Sequence, residues 1–229
     1  FKDVRVRQAL NYAIDKEAIC KNVLQGFGTA ATSPTCRFVP GWKGYKLYEH
    51  NPEKAKKLLA EAGYPDGLQV TLHSTTGRYL KDRQVMEAIQ AYYDAVGIRA
   101  TLSFREWGTH VLLMRADPAE KKKDLVIGGT ASPYLTYHLH RNFHSDNAVM
   151  GTHRIGYSNP EVDKLIERAE SSFDEKERQL LFDKMQAIIW EECPYVWLHY
   201  ESIAVGYQKG IKDVVVLPSE TLNLRYAYR

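Results

Sequence analysis

Hydrophobic positions along the chain fall into two alternating rhythms. Val4, Ala9, Leu10, Ala13 and Ile14 recur at helical spacing, and after Asp15, a good N-cap, Ala18, Ile19, Val23 and Leu24 form a second apolar stripe that Gly26 and Gly28 close. Residues 29–50 carry Pro34, Pro40, Gly41 and Gly44 and predict a long irregular segment, of the kind that wraps a surface or lines a site. Asn51-Pro52-Glu53 then opens a helix, with Asn as cap, Pro at the first turn and an acid near the positive helix end. Ala55, Leu58, Leu59 and Ala62 form its stripe, and Gly63, Pro65 and Gly67 stop it.

Between Leu68 and Tyr134 the rhythm switches repeatedly between two and three-to-four residues. Leu68, Val70 and Leu72 alternate as in a strand; Val85, Ala88, Ile89, Tyr92 and Val96 step as in a helix ending at Gly97; Ile98, Ala100, Leu102 and Phe104 alternate again. A short helix follows over 108–116, then the apolar run Leu125-Val126-Ile127. Strand–helix–strand crossovers of this length are right-handed and join parallel strands, so the loops after the three strands share one sheet edge. Open α/β sheets bind ligands at that edge. Helices are predicted over 160–171, opened by Asn159-Pro160-Glu161, and over 175–192, where Asp174 and Glu177 approximate a capping box and Pro194 blocks continuation. Strands are expected at 195–200, 203–205, 214–216 and 224–226. The expected fold is α/β, a mostly parallel central sheet flanked by helices with terminal strands, in a single domain over 1–229.

With 44% hydrophobic and 26% charged residues, the 229-residue chain has the composition of a globular core. A net charge of +3 and no basic block longer than Lys121-Lys122-Lys123 speak for a solvated loop rather than a nucleic-acid surface. No apolar run approaches the roughly 18 residues of a membrane span. Cys20, Cys36 and Cys193 match no zinc spacing and form no CxxC; three buried thiols are the favoured reading, one disulfide with a free thiol the alternative. The chain opens on a helix without Met or a charged-then-apolar leader, which is expected of a processed or truncated product.

The loops supply the candidate chemistry. Ser74-Thr75-Thr76-Gly77-Arg78 ends the first strand, Arg105-Glu106-Trp107 the second, and Gly128-Gly129-Thr130-Ala131-Ser132-Pro133-Tyr134 follows the third. Arg78 offers a guanidinium able to clamp a carboxylate, Trp107 an aromatic face, and Thr130, Ser132 and Tyr134 hydroxyls beside backbone amides. This set suits a small polar ligand and contains no acid–base pair. Arg78 reads equally as a surface ion pair, and Trp107 as ordinary packing. His138, His140, His144 and His153 fit no standard metal spacing; His138 and His140 share a face only in an extended segment. No Gly-x-Ser-x-Gly elbow, Walker loop or GxGxxG is present, so neither a hydrolase nor a nucleotide cofactor is signalled.

Three segments together carry a resemblance. Residues Asp3 to Asp15, Asn51 to Tyr64 and Tyr157 to Ile166 are similar, in order and spacing, to landmarks of the family 5 extracellular solute-binding proteins, the dipeptide, oligopeptide and nickel receptors of ABC importers. The likeness covers essentially the whole chain. It implies the C-terminal lobe of a two-lobe clamp, with 195–229 returning toward the hinge or the other lobe. It also implies an exported, extracytoplasmic protein, monomeric, without enzymatic activity or cofactor, that delivers ligand to a membrane permease. Arg78 sits where dipeptide receptors carry the arginine that grips the ligand carboxylate. Peptide-binding relatives place Trp and then Asp in the third loop, the Asp pairing with the peptide amino group. Here Gly129 replaces the Trp, and 128–134 contain no carboxylate. An unpaired buried ammonium is costly, which argues against a peptide with a free amino terminus and leaves a metal chelate, an opine, a sugar or a capped peptide open. A metal or metal-chelate receptor using the His138–His144 region is the alternative reading.

Overall fold

Side-chain caps fix the helix starts. Asp3 accepts from the Arg5 amide at the head of α1 (Val4–Tyr12), and Asp15 from the Ala18 amide at the head of α2 (Lys16–Ala18), which runs on into a π-helical turn over Ile19–Val23. Asn51 Oδ1 takes the Lys54 amide at 2.9 Å to open α3 (Pro52–Glu61). The buried face of α1 is Val6, Ala9 and Leu10; Val4, expected on the stripe, is 36% exposed because it lies roughly 170° round the helix from that line. The structure is a computed structural model and describes residues 1–37, 39–117, 124–130, 132, 134–148, 155–217 and 221–228. Lys121–Lys123, His153, Ala131 and Pro133 lie outside the described residues.

The alternating segments form a parallel sheet in the order β3-β2-β4, with β2 (Leu68–Thr75) central, β3 (Ile98–Arg105) in register from Leu68↔Ile98 to Thr75↔Arg105, and β4 (Asp124–Val126) on the other side through Leu72↔Leu125. The crossovers are α4 (Asp82–Asp94) and α5 (Trp107–Arg115). Val70, Leu72, Ile98 and Ala100 bury against Val85, Met86, Ile89 and Tyr93 of α4 and against α1 and α3, making one hydrophobic core. Gly67 and Gly97, both at positive φ, meet where β2 and β3 begin: a Cβ on Gly67 would sit 1.8 Å from the Gly97 carbonyl oxygen.

A second core joins α6 (Leu135–Phe143), α7 (Pro160–Ser171) and α8 (Glu175–Glu192) through Leu139, Phe143, Ile166, Met185, Ile189 and Trp190. Asn159 and Asp174 cap α7 and α8 as expected; Glu177 does not close the capping box but bonds Ser172 Oγ and Arg168 instead. Tyr12 packs against both cores. Arg7 and Asn11 stitch them together. Arg7 Nε donates to the Glu192 carbonyl at 2.9 Å, while buried Asn11 accepts from the Trp197 amide and donates to the Tyr195 carbonyl, both at 2.9 Å. Lys16 is buried as well, donating to the Asn11 and Tyr48 carbonyls, and burial lowers its pKa to about 8.

The irregular 29–50 segment contains one short strand, β1 (Gly28–Ala30), paired antiparallel with β5 (His199–Glu201). Near the C-terminus β6 (Val215–Val216) pairs with β7 (Leu222–Asn223). The strands expected at 203–205 and 224–226 are not formed: Ile203 and Leu224 are exposed at 46% and 58%, and a strand without a ladder partner leaves its backbone to water. The three cysteines are free, Cys20 and Cys193 buried and Cys36 only half-buried, so the expectation of three buried thiols holds for two. Among the described residues no helix is long and apolar enough to cross a membrane.

Candidate functional site

The carboxyl ends of the three parallel strands bring their loops together. Thr75 ends β2, and the loop 76–81 that follows is organised by Asp82, the first residue of α4. Its Oδ2 accepts from Thr75 Oγ1 at 2.9 Å, from the Gly77 amide at 2.7 Å and from the Arg78 amide at 3.2 Å. Lys81, at φ +52°, turns the chain into the helix. From the second loop, Glu106 accepts from the Gly108 and Thr109 amides and so caps α5; these backbone bonds hold its carboxyl below the usual range. Trp107 starts that helix and is 38% exposed.

Arg78 and Trp107 meet. The exposed Arg78 guanidinium lies 5.0 Å from the Tyr79 ring centroid and 5.3 Å from that of Trp107, and the two rings stand edge to face 6.2 Å apart. Cation–π contacts of this kind orient a guanidinium. Tyr79 also reaches the third loop, its hydroxyl accepting the Gly129 amide at 2.8 Å. Behind Trp107 stands His110, fully buried, its ring stacked at 6.1 Å and its Nε2 donating to the Ile127 carbonyl at 2.7 Å. Burial lowers the His110 pKa, against the opposing effect of that bond, and keeps the ring neutral beside the cationic edge. Tyr79, Asp82 and His110 were not singled out from the sequence. Tyr79 had a signal in its place beside Arg78 and Asp82 in its place just after the loop whose groups it bonds, whereas His110 acts through a carbonyl that only the closed crossover brings to it.

The third-loop residues divide. Tyr134 is 71% exposed at the head of α6. Thr130 is exposed, with Asn142 Nδ2 approaching its hydroxyl at 3.4 Å. Ser132 is buried, and its hydroxyl serves the turn, donating to the Tyr134 carbonyl at 3.1 Å and accepting the Tyr134 amide at 3.2 Å. Gly129 faces Tyr79 so closely that a Cβ would meet Tyr79 Cε1 at 2.9 Å. His138 and His140 lie on α6 and diverge, and His144 is its C-cap. His138 is buried, donating from Nε2 to the Pro34 carbonyl at 3.1 Å, and burial lowers its pKa to about 4. It is a core residue and offers nothing to the loops. His140 and His144 face α7.

At the loops of the parallel sheet a guanidinium thus stands beside two aromatic rings, chemistry able to hold a polar, anionic group. Residues 1–146 match the family described as bacterial extracellular solute-binding proteins, family 5 Middle. The chain belongs to that family. The glutathione-binding protein GsiB of Escherichia coli (strain K12) is 29% identical over 222 residues, 95% of this chain and 43% of that protein. HbpA2 of Haemophilus parasuis superposes with a TM-score of 0.83 at 29% identity, over 98% of this chain and 45% of that one. The periplasmic binding protein DppA of Helicobacter pylori, in complex with the peptide STSA, gives 0.76 at 28% identity, over 87% and 38%. The family 5 chain described here thus spans less than half the length of the relatives it matches, and its fold is that of a periplasmic binding protein. GsiB and DppA are binding proteins by name.

Proposed function

We propose that this family 5 chain forms the C-terminal lobe of a substrate-capture protein for an ABC importer. It binds a small polar ligand, peptide-like or related, at the carboxyl edge of the β3-β2-β4 sheet. The observation that carries the reading is the Arg78 guanidinium poised beside Tyr79 and Trp107 where the parallel strands end. Its task is to clamp a ligand carboxylate, with Trp107 and Tyr134 as walls and the Thr130 hydroxyl beside them. Ser132 shapes the third loop from within. In this reading the protein works as a monomer outside the cytoplasm, hands its ligand to membrane permease subunits, and catalyses nothing. Residues 195–229 belong to the hinge or inter-lobe region.

Asp82 and Glu106, carboxylates at this edge, are engaged by backbone amides, as is Glu201 of β5 by the Leu80 amide, and 128–134 contain no carboxylate. The third loop therefore offers a ligand ammonium no counter-charge, which favours ligands whose amino group is absent, capped or remote from the carboxylate that Arg78 holds. The test uses the full-length protein and a panel of free and N-acylated di- and tripeptides and glutathione, read by thermal shift and calorimetry. At least one carboxylate-bearing ligand should raise the melting temperature, and Arg78→Ala should weaken it by about ten- to a hundredfold, the worth of a charge-assisted hydrogen bond. Binding that is indifferent to Arg78→Ala would remove Arg78 from the site; no response to any member would remove the transport reading.

A further inference from the structure

On the side of α6 away from the ligand loops, His140 and His144 sit one helical turn apart and face α7. Their rings stack, with centroids 4.4 Å apart and planes inclined by 16°. Asp146, in the 3₁₀ turn that follows α6 (Ser145–Ala148), places Oδ1 2.7 Å from His144 Nδ1 and 3.2 Å from His140 Nε2. One donor atom from each of the three residues falls within 4.8 Å of the others. Three donors around a four-coordinate ion with bonds of about 2.0–2.1 Å sit roughly 3.3 Å apart, and the stacked rings turn out of parallel to bring both lone pairs onto one ion.

The outer nitrogens make the arrangement more than a pair of surface ion pairs. His140 Nδ1 lies 2.7 Å from Glu170 Oε1, and His144 Nε2 3.4 Å from Glu167 Oε1, both carboxylates projecting from α7. Glu170, at hydrogen-bond distance behind His140, holds the proton on Nδ1 and turns the Nε2 lone pair toward Asp146, the arrangement that supports metal-ligating histidines, while His144 Nε2 makes no hydrogen bond and Glu167 stands within reach of it. His144 Nδ1 faces both the Asp146 amide at 3.2 Å and the Asp146 carboxylate at 2.7 Å, and a cation bound there takes the place of the proton between the ring and the carboxylate. Were both rings protonated instead, two positive charges would stack face to face.

We propose that His140 Nε2, His144 Nδ1 and the Asp146 carboxylate bind a borderline divalent cation of the Zn²⁺ or Ni²⁺ class, with Glu170 and Glu167 as outer partners and water completing the shell. The site lies on the α6–α7 seam. It pins the end of α6, whose other face meets Thr130 through Asn142, and it is separate from the ligand edge, so the proposal stands whether or not Arg78 binds a carboxylate.

Calorimetric titration of the full-length protein, stripped with chelator and carrying no polyhistidine tag, with ZnCl₂ tests it. One equivalent is taken up at micromolar concentration or below, and excess Mg²⁺ does not compete. His140→Gln and Asp146→Asn each weaken uptake at least tenfold, and Glu170→Gln about tenfold through the outer shell. His140 and Asp146 are partly exposed, so these variants keep their circular dichroism even where the nearly buried His144 does not tolerate change. Absence of Zn²⁺ uptake by the unaltered protein overturns the proposal, as does uptake that changes less than threefold in His140→Gln and Asp146→Asn.

Discussion

At the scale of single residues, backbone freedom and side-chain satisfaction decide the outcome. Gly63 and Gly67 share nearly the same left-handed φ, +89° and +83°, but a Cβ on Gly63 meets nothing within 4 Å, whereas on Gly67 it strikes the Gly97 carbonyl at 1.8 Å. Gly63→Ala should therefore cost about 1 kcal/mol, from conformation alone, and Gly67→Ala about 3 kcal/mol or more, because the strand β2 must move off β3. Urea unfolding of the two variants separates the terms; equal losses would show that the close approach of the two glycines is not a constraint. Both glycines read as helix and strand stops in the sequence, and the difference between them comes from a neighbour thirty positions away. The ligand edge follows the same logic. Arg78 and Trp107 stand out by residue type, but their meeting over Tyr79 and the buried stack of His110 behind Trp107 depend on the register of β2, β3 and β4.

At the scale of elements, the paired Asn-Pro-Glu openings of α3 and α7 are locally alike but tertiarily different. Asn51 caps α3 and its side chain does little else; Asn159 caps α7 through the Glu161 and Val162 amides and also donates from Nδ2 to Glu192 Oε1 at 2.8 Å, while the Tyr157 hydroxyl bonds the other oxygen of Glu192. Asn51→Ala should cost about 1 kcal/mol. Asn159→Ala should cost about 2 kcal/mol, the additional loss being a hydrogen bond to a carboxylate. Asn159→Asp retains a capping oxygen but sets two carboxylates against each other, so it should remain below the unaltered protein. Equal midpoints for Asn51→Ala and Asn159→Ala in denaturant unfolding would reduce the Glu192 contact to decoration.

At the scale of the whole molecule, two cores pack together, and buried histidines make stability depend on pH. His138 and His199 are held neutral by burial, each with its pKa lowered to about 4. The unfolded chain takes up protons at these sites near the ordinary histidine value of about 6.5, the native state only near 4, so stability falls as pH drops through that window. His144 acts in the opposite sense. Burial lowers its pKa, but the Asp146 bond and charge, with Asp163 and Glu167, outweigh burial and leave it raised, so its contribution is present at acid pH and fades as pH rises through its folded-state value. Melting followed from pH 7 to pH 4 should show a net decline that is shallower in His138→Gln than in the unaltered protein, by up to about 3 kcal/mol over the window. An identical slope in the variant would mean that His138 is already solvated or protonated in the native state.

Much of this was legible in the chain itself. The caps, the α7 and α8 boundaries, the alternation of β2 and β3 and the order of strand and helix are local properties, written in spacing and in turn chemistry, and the structure reproduces them. The polar loops at one edge followed once the crossovers were taken as parallel. What the tertiary structure alone decided are the features that need a partner distant in sequence. Ser132 turned inward because its hydroxyl satisfies the turn before α6; the expected strand at 203–205 did not form because nothing pairs with it; β1 formed because β5 does. Asn11 and Lys16 are buried where a sequence pattern places polar residues outside, because carbonyls from the chain after α8 and from the 29–50 segment meet them there. Hydrogen-bond satisfaction and close packing are properties of pairs, and a linear pattern records only one member of each.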